Sequence, residues 1–156
     1  MARKLKERRH LKRREFIRLA CKEDCTFIRT LSGEVFSVFG EYSEIIPQWF
    51  ANPDVITLVY VKNGHPVGFA MLHVLSGEIL AIALLPAFQR KGIGSALLEH
   101  IQLLAGQLGL RRLLLHTAKE NDAARLFFQK AGFTVIGAQE DYYPKGQEAL
   151  IISKCI

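Results

Sequence analysis

The chain has 156 residues, of which 49% are hydrophobic and 23% charged, and this composition predicts one domain with a sizeable apolar core. The sequence contains no apolar run of 18 residues that would predict a membrane span, and no apolar segment that would mark a secretory signal. Cys21, Cys25 and Cys155 lack the spacing of a zinc site or a disulfide framework. We therefore expect a cytoplasmic protein. The net charge of +6 is uneven, because residues 1–18 hold nine Lys/Arg against two Glu.

The basic residues are concentrated in an N-terminal arm, residues 1–14, ahead of a single domain predicted to span residues 15–156. Such an arm is typical of a solvated, mobile terminus. Alternatively, it is a segment that contacts nucleic acid or the ribosome through residues 3–14. Twelve basic and thirteen acidic residues follow residue 18, so the domain itself is nearly neutral.

The first part of the domain predicts one strand and two helices. Residues 16–20 alternate weakly between apolar and polar, as in a strand. A helical stripe follows, in which an apolar residue recurs at every fourth position: Phe27, Leu31, Val35 and Phe39. Residues 45–50 predict a brief second helix that contains Pro47.

Three strands are predicted next, over residues 55–61, 67–74 and 78–85. The first two are separated by Asn63-Gly64, the dipeptide most typical of a tight hairpin, and the last two by Ser76-Gly77. Strands joined by such short turns are neighbours in a sheet, so they predict an antiparallel meander.

The second half predicts two more helices and three more strands. In order, these are a helix over 92–108 that ends at Gly109, a strand over 112–117, a helix from its cap Asn121 to 131, and strands over 133–138 and 149–154. The complete order is β-α-α-β-β-β-α-β-α-β-β. It predicts an α/β (α+β) fold with a mixed, mostly antiparallel sheet and helices on both faces.

The junction before the long helix carries two glycines and two cations, within the stretch Gln89-Arg90-Lys91-Gly92-Ile93-Gly94. Glycine allows close approach of a ligand to the backbone, and the first amides of a helix can hold a phosphate. The spacing fits neither a P-loop nor a dinucleotide fingerprint. An ordinary turn between a strand and a helix remains the alternative.

This Gln-x-x-Gly-x-Gly stretch resembles the pyrophosphate-binding signature of the GNAT superfamily of acetyl-CoA-dependent N-acetyltransferases. A second stretch is similar to the family pattern N-x-x-A-x-x-F/L-Y-x-x-x-G-F, through Asn121, Ala124, Phe127, Gly132 and Phe133. Two signatures in the family's order are more specific than either alone. The resemblance covers most of the chain beyond the arm, and it implies the same element order as the periodicity.

The resemblance implies that acetyl-CoA is the cofactor and that the following residues bind it: Leu84, Leu85, Gln89, Arg90, Lys91, Gly92, Ile93, Gly94, Ser95, Asn121 and Phe128. A backbone amide near Leu84 would face the thioester carbonyl, as in an oxyanion hole. The chain departs from the family at Phe128, which stands where a tyrosine usually protonates the leaving thiolate. Phenylalanine cannot donate a proton.

The last segment, Asp141-Tyr142-Tyr143-Pro144, resembles the end of protein N-alpha-acetyltransferases. The resemblance implies that Tyr142 and Tyr143 line the groove for the substrate's N-terminus. The alternative is that these rings pack on the edge of the sheet. His116 matches a position that carries the general base in relatives, and a histidine suits proton transfer near neutral pH. Glu78 is a second candidate for the catalytic base, or for its helper.

The function favoured by these residues is transfer of an acetyl group from acetyl-CoA to a primary amine, by direct attack in a ternary complex. The preferred acceptor is the N-terminal α-amine of a peptide or protein. The alternatives are a small-molecule amine or lysine acetyltransferase, a catalytically weak acyl-CoA-binding protein, and a ribosome- or RNA-binding module that uses the basic arm.

Overall fold

The computed structural model describes residues 14–156, so the predicted basic arm lies outside the described residues except for its last residue. The strands in this range are β1 (Glu15–Leu19), β2 (Val55–Lys62), β3 (His65–His73), β4 (Glu78–Leu84), β5 (Arg112–Ala118), β6 (Thr134–Gln139) and β7 (Ala149–Cys155). The helices are α1 (Cys25–Val35), α2 (Tyr42–Ala51), α3 (Ile93–Gln107) and α4 (Asp122–Lys130), with short 3₁₀ turns at Lys22–Asp24 and Pro86–Phe88. The predicted element order is confirmed. No helix among the described residues is long and apolar enough to cross a membrane.

The strands form one sheet with the order β1-β2-β3-β4-β5-β7-β6. Every neighbouring pair is antiparallel except β4 and β5, which run parallel. The predicted meander is therefore confirmed in β2, β3 and β4. Its first turn, Asn63-Gly64, has φ values of 51° and 79°, as a tight hairpin turn with two positive φ angles requires.

Strands β4 and β5 separate almost as soon as they meet. In the described part of the chain, their ladder consists of the single pair Glu78↔Leu114. By contrast, β5 pairs with β7 along its whole length, from Arg112 to Ala118. A gap therefore opens in the middle of the sheet, beyond Glu78.

Strand β4 also contains one extra residue, Leu80. Met71 of β3 lies opposite Ala81, and Leu72 lies opposite Ile79, so Leu80 has no partner on β3. The backbone amides of a strand point alternately to its two sides. One unpaired residue therefore changes which amides of β4 face the gap.

Helices cover both faces of the sheet, as predicted. α1 and α2 bury Ile28 and Ile46 in a cluster on one face. α3 and α4 bury Leu97 and Phe128 in a second cluster on the other face. Each fully buried aliphatic or aromatic side chain contributes about 1.5–3 kcal/mol, so the two clusters hold the four helices in place.

The helical stripe in the sequence extends α1 to Phe39, and this boundary is wrong because α1 ends at Val35. Phe39 instead packs against Tyr143, with ring centroids 4.8 Å apart. A glycine inside α1 has a packing reason, since a Cβ atom on Gly33 would lie 3.3 Å from the Cβ of Ser43. Gly33 thus lets α1 and α2 approach closely.

An ion pair joins β1 to the start of α1. Arg18 donates to both carboxylate oxygens of Asp24, at 2.6 and 3.0 Å, and the backbone amide of Cys21 donates to the same carboxylate at 2.8 Å. Asp24 is only 5% exposed, and the hydrogen bond from Arg18 is the main reason that its pKa falls to about 2. Cys21, Cys25 and Cys155 are free thiols.

Candidate active site

A cavity of about 210 Å³ opens where β4 and β5 separate. Residues 78–82 of β4 form one wall, and residues 115–118 of β5 form the other. Side chains of α1 and α2 line it on one face of the sheet, and Phe128 of α4 lines it on the opposite face. The cavity therefore passes through the sheet.

His116 and Glu78 meet at the point where the gap begins. The distance between His116 Nδ1 and Glu78 Oε1 is 3.0 Å, and the two side chains are 18% and 26% exposed. An ionised carboxylate can only accept a hydrogen bond, so Nδ1 carries the proton of the neutral imidazole. The lone pair is then on Nε2, which leaves His116 able to accept a proton there.

The ring of Tyr142 lies flat on the imidazole of His116, with centroids 4.3 Å apart and an interplanar angle of 3°. Tyr143 packs edge-on against Tyr142, and both rings line the cavity. Burial, followed by the charge of Glu78, raises the pKa of Tyr142 to about 12, and burial also raises the pKa of Tyr143. Both hydroxyls therefore stay protonated near neutral pH, so they can donate hydrogen bonds but cannot act as bases.

The turn between β4 and α3 presents free backbone amides. Arg90 and Gly92 have positive φ angles, of 59° and 82°. Within residues 14–156, no backbone carbonyl accepts a hydrogen bond from the amides of residues 90–95. Unpaired amides in such a turn, at the start of a helix, form a concave site suited to an anion.

The side chains of this turn have different roles. Arg90 and Lys91 are exposed cations beside the free amides, and Ser95 is also exposed. Gln89 turns back, and its Nε2 donates to the carbonyl of Leu84 at 3.3 Å. Ile93 is buried in the core and anchors the start of α3.

The two glycines of the turn have different surroundings. Gly92 needs its positive φ, yet a Cβ atom there would meet nothing within 4 Å. A Cβ atom on Gly94 would meet the ring of Phe127 at 3.5 Å, which is an ordinary contact. The space over Gly92 is therefore open to a ligand, whereas Gly94 lies against Phe127.

The register of β4 identifies the amides that face the gap. The amide of Leu85 donates to the carbonyl of Val67 on β3, at 2.9 Å. Because amides alternate, those of Leu84 and Ile82 point to the opposite side, towards β5. Ile82 lines the cavity, whereas Leu84 and Leu85 lie beyond it towards the turn. The sequence did not single out Ile82, because its orientation depends on the bulge at Leu80.

Asn121 and Phe128 lie at the end of the cavity formed by α4. Asn121 caps this helix as predicted, since its Oδ1 accepts a hydrogen bond from the amide of Ala124 at 3.2 Å. Phe128 is 7% exposed and packs edge-on against Phe127 and Phe133. Its ring brings no hydroxyl to this end of the cavity.

An aromatic wall on the face of α1 and α2 was not identified from the sequence. Phe36, Tyr42 and Trp49 line the cavity there, with Tyr42 in contact with both other rings. Tyr42 and Trp49 are seven residues apart, which is two turns of one helix face. This spacing was a usable signal, although it equally suits an ordinary core.

A model of the acetyltransferase (GNAT) family matches residues 16–133. The ribosomal protein bS18-alanine N-acetyltransferase of Haemophilus influenzae is 30% identical to the chain over an alignment of 105 residues, which covers 64% of this chain and 71% of that protein.

Two solved structures share the fold. The ribosomal-protein-S18-alanine N-acetyltransferase from Escherichia coli has a TM-score of 0.80 at 24% identity and covers 91% of this chain and 94% of its own. PaiA N-acetyltransferase from Thermoplasma acidophilum, solved in complex with coenzyme A, has a TM-score of 0.72 at 20% identity, with coverage of 91% and 99%. These similarities confirm the predicted fold.

Proposed function

The chain belongs to the acetyltransferase (GNAT) family, and we propose that it transfers the acetyl group of acetyl-CoA to the N-terminal α-amine of a peptide or protein. As a member of this family it is an acetyl-CoA-dependent acyltransferase. The proposal concerns the acceptor and the residues that act on it.

The observation that carries this proposal is the contact between His116 and Glu78 at the start of the gap. An amine must lose a proton when it attacks a thioester, and His116 Nε2 is free to accept that proton directly or through one water. Glu78 fixes the tautomer and stabilises the imidazolium that forms. Tyr142 is excluded as a base by its raised pKa.

The turn at residues 89–95 fits the pyrophosphate of acetyl-CoA. The amides of residues 90–95 have no partner among the described residues, the cations Arg90 and Lys91 are exposed, and the space over Gly92 is open. Strand β4 joins this turn to the cavity, so a cofactor held at the turn would lie along the gap. The remaining implied residues, Asn121 and Phe128, line the end of the cavity on this face.

Acetyl-CoA supplies a thioester whose carbonyl carbon the amine attacks. The new C–N bond forms as the C–S bond breaks, the sulfur leaves with the bonding electrons, and the amine proton passes to His116. The free amides of Ile82 and Leu84 are the candidates for stabilising the negative charge on the acetyl oxygen. Phe128 offers no proton to the sulfur, but a thiolate whose reference pKa is about 8.5 can leave without one.

The single histidine base favours an α-amine over a lysine. Reference pKa values are about 7.7–8.0 for an α-amine and about 10.4 for lysine, so lysine is harder to deprotonate by roughly 3.4 kcal/mol. The aromatic wall of Phe36, Tyr42 and Trp49 lies on the face of the sheet opposite α3 and α4. The first side chain of the acceptor would enter the cavity from this face. The name of the Haemophilus relative, an alanine N-acetyltransferase acting on a ribosomal protein, supports the same class of acceptor.

A panel of acceptors tests this proposal. It contains short peptides with a free N-terminal amine, the same peptides with a blocked N-terminus and one lysine, and polyamines. We expect turnover of acetyl-CoA with the free N-termini and at least tenfold slower turnover with the others. Equal or faster turnover with the blocked peptides or the polyamines would contradict an α-amine acceptor. Acetyl-CoA binding without turnover on any amine would indicate a binding protein instead.

A further inference from the structure

Two loops meet beside the aromatic wall of the cavity. They are the segment after α1, residues 36–41, and the loop between β6 and β7, residues 140–148. Lys145 Nζ donates to the carbonyl of Ser37 at 2.8 Å, and Gln147 Nε2 donates to the carbonyl of Val38 at 2.7 Å. We call these two side-chain contacts the clasp. It joins parts of the chain that are 108 and 109 residues apart.

Gln147 has a second connection, to the two tyrosines, whereas the second connection of Lys145 runs from its backbone amide to the carbonyl of Phe39 at 3.2 Å. The backbone carbonyl of Gln147 accepts hydrogen bonds from the amides of both Tyr142 and Tyr143, each at 3.2 Å. The peptide unit that bears both tyrosines is therefore fixed to Gln147, while the side chain of Gln147 is fixed to the loop after α1. Gln147 does not line the cavity itself.

The side-chain amide of Gln147 lowers the stability of the fold. Its Oε1 atom is buried and has no hydrogen-bond partner in the part of the chain that the structure describes. A buried acceptor without a partner destabilises a fold, and an apolar residue of similar size would avoid this. The favourable contact of this side chain is thus the hydrogen bond that it donates to Val38, which joins the loop of residues 140–148, the tyrosine loop, to the segment after α1.

The two loops touch firmly enough to transmit this position. A Cβ atom on Gly40 would lie 2.7 Å from Cγ of Pro144, so the loops are in direct contact there. The ring of Phe39 packs against Tyr143, and the amide of Lys145 donates to the carbonyl of Phe39 at 3.2 Å. A shift of either loop would therefore move the tyrosines.

We infer that Gln147 is a positioning residue, which holds Tyr142 flat against His116 and thereby fixes the direction of His116 Nε2. The path runs from the Val38 carbonyl through Gln147 to the backbone of Tyr142, and from the Tyr142 ring to the imidazole at 4.3 Å. The imidazole is held on its edge by Glu78 and on its face by Tyr142. This inference rests on the proposed role of His116 as the base.

The test compares Gln147→Met with Lys145→Met. The Gln147 variant removes the donor to Val38 and keeps the side chain's length, whereas the Lys145 variant removes the other half of the clasp without touching the backbone of Tyr142. The ring protons of His116, observed by carbon–proton NMR, report the stacked ring directly, because an aromatic face shifts the resonances of protons above it. The kinetic readouts are kcat, acceptor KM, the pH profile and acetyl-CoA affinity.

For Gln147→Met we expect the His116 resonances to lose the shift caused by Tyr142. We also expect kcat to fall roughly tenfold to a hundredfold, as misorientation of a reacting group does. The acidic limb of the pH profile should move, and acetyl-CoA affinity should stay unchanged. Lys145→Met should keep the resonances and the pH profile of the wild type.

Unchanged His116 resonances and an unchanged pH profile in Gln147→Met would overturn the inference, as would equal effects of the two variants. If Gln147→Met does not fold by circular dichroism, Gln147→Glu replaces it. This variant keeps the size of the side chain, its carboxylate repels the Val38 carbonyl, and the same outcomes apply. The NMR readout needs no turnover. If the wild-type protein acetylates no amine, the proposed function is refuted, but the NMR comparison still shows whether Gln147 positions His116.

Discussion

The pair of His116 and Glu78 allows the base to be identified by two matched substitutions. Glu78→Gln keeps an acceptor for the 3.0 Å hydrogen bond from His116 Nδ1 but removes the charge. A hydrogen bond to a charged group contributes about 1.5–3 kcal/mol, against about 0.5–1.5 kcal/mol for a neutral pair. The imidazolium that forms during the reaction would therefore lose about 1 kcal/mol of stabilisation, which corresponds to a fall in kcat of roughly five- to tenfold. His116→Gln removes the base itself and should lower kcat by about 10²–10⁴-fold.

Both variants are assayed by the release of free CoA thiol from acetyl-CoA, with a saturating N-terminal peptide, across the neutral pH range. In the wild type the rate should fall as the pH is lowered, because a protonated imidazole cannot accept the amine proton; His116→Gln should lose this limb, and Glu78→Gln should keep it. Acetyl-CoA affinity by calorimetry is the control, and neither variant should change it. If Glu78→Gln loses more activity than His116→Gln, Glu78 is the base. If His116→Gln has the wild-type rate and pH profile, neither the histidine nor its tautomer matters to the reaction.

Three further results are expected. Gly92→Glu should abolish acetyl-CoA binding in calorimetry through its bulk and charge. The control is Gly109→Glu at the other end of α3, where glycine has the same φ of 82° and equally open surroundings, so this variant should strain the backbone to the same extent and bind acetyl-CoA normally. Equal affinities of the two variants would contradict the phosphate site. Asp24→Asn should lower the free energy of unfolding by about 1–2 kcal/mol, because a pKa lowered from 3.8 to about 2 corresponds to about 2.4 kcal/mol before solvent screening of the one-third-exposed Arg18 is discounted. Since a lowered carboxyl pKa stabilises the fold above the unfolded value, this difference in denaturant unfolding should be complete above about pH 4 and vanish as the pH falls towards 2. Phe128→Tyr introduces a hydroxyl at the cavity and should raise kcat most with acyl thioesters whose thiol is a poor leaving group. If the gain in kcat does not depend on the leaving thiol, the sulfur needs no proton donor.

The sequence predicted the fold well because local patterns decide most of it. Alternation, helical spacing and turn residues placed all eleven strands and helices in order, and Asn121 was correctly identified as a helix cap. The wrong boundary at Phe39 has a long-range cause. Its apolar ring continues the pattern of α1, yet its partner is Tyr143, which lies on a loop that no local periodicity can place.

The sequence predicted individual residues of the site but not the contacts between them. His116 and Glu78 were each candidates, but their contact depends on the single ladder pair between β4 and β5. The amide of Ile82 was missed because one unpaired residue, Leu80, determines the side to which it points. Gln147 carries no catalytic chemistry of its own, so only its hydrogen bonds to Val38 and to the tyrosine loop distinguish it from a surface residue.

The extra residue Leu80 also limits how β4 can change in evolution or by engineering. Deletion of Leu80, or insertion of one residue between Leu80 and the turn at residues 89–95, would shift the rest of the strand by one residue, so that every later residue points to the opposite side. The amides of Ile82 and Leu84 would then point at β3, and their side chains would exchange faces of the sheet. A change of two residues keeps this orientation and only shortens or lengthens the distance from the cavity to the turn. Strand β4 should therefore tolerate length changes in pairs and lose acetyl transfer after single ones, even where the protein still folds.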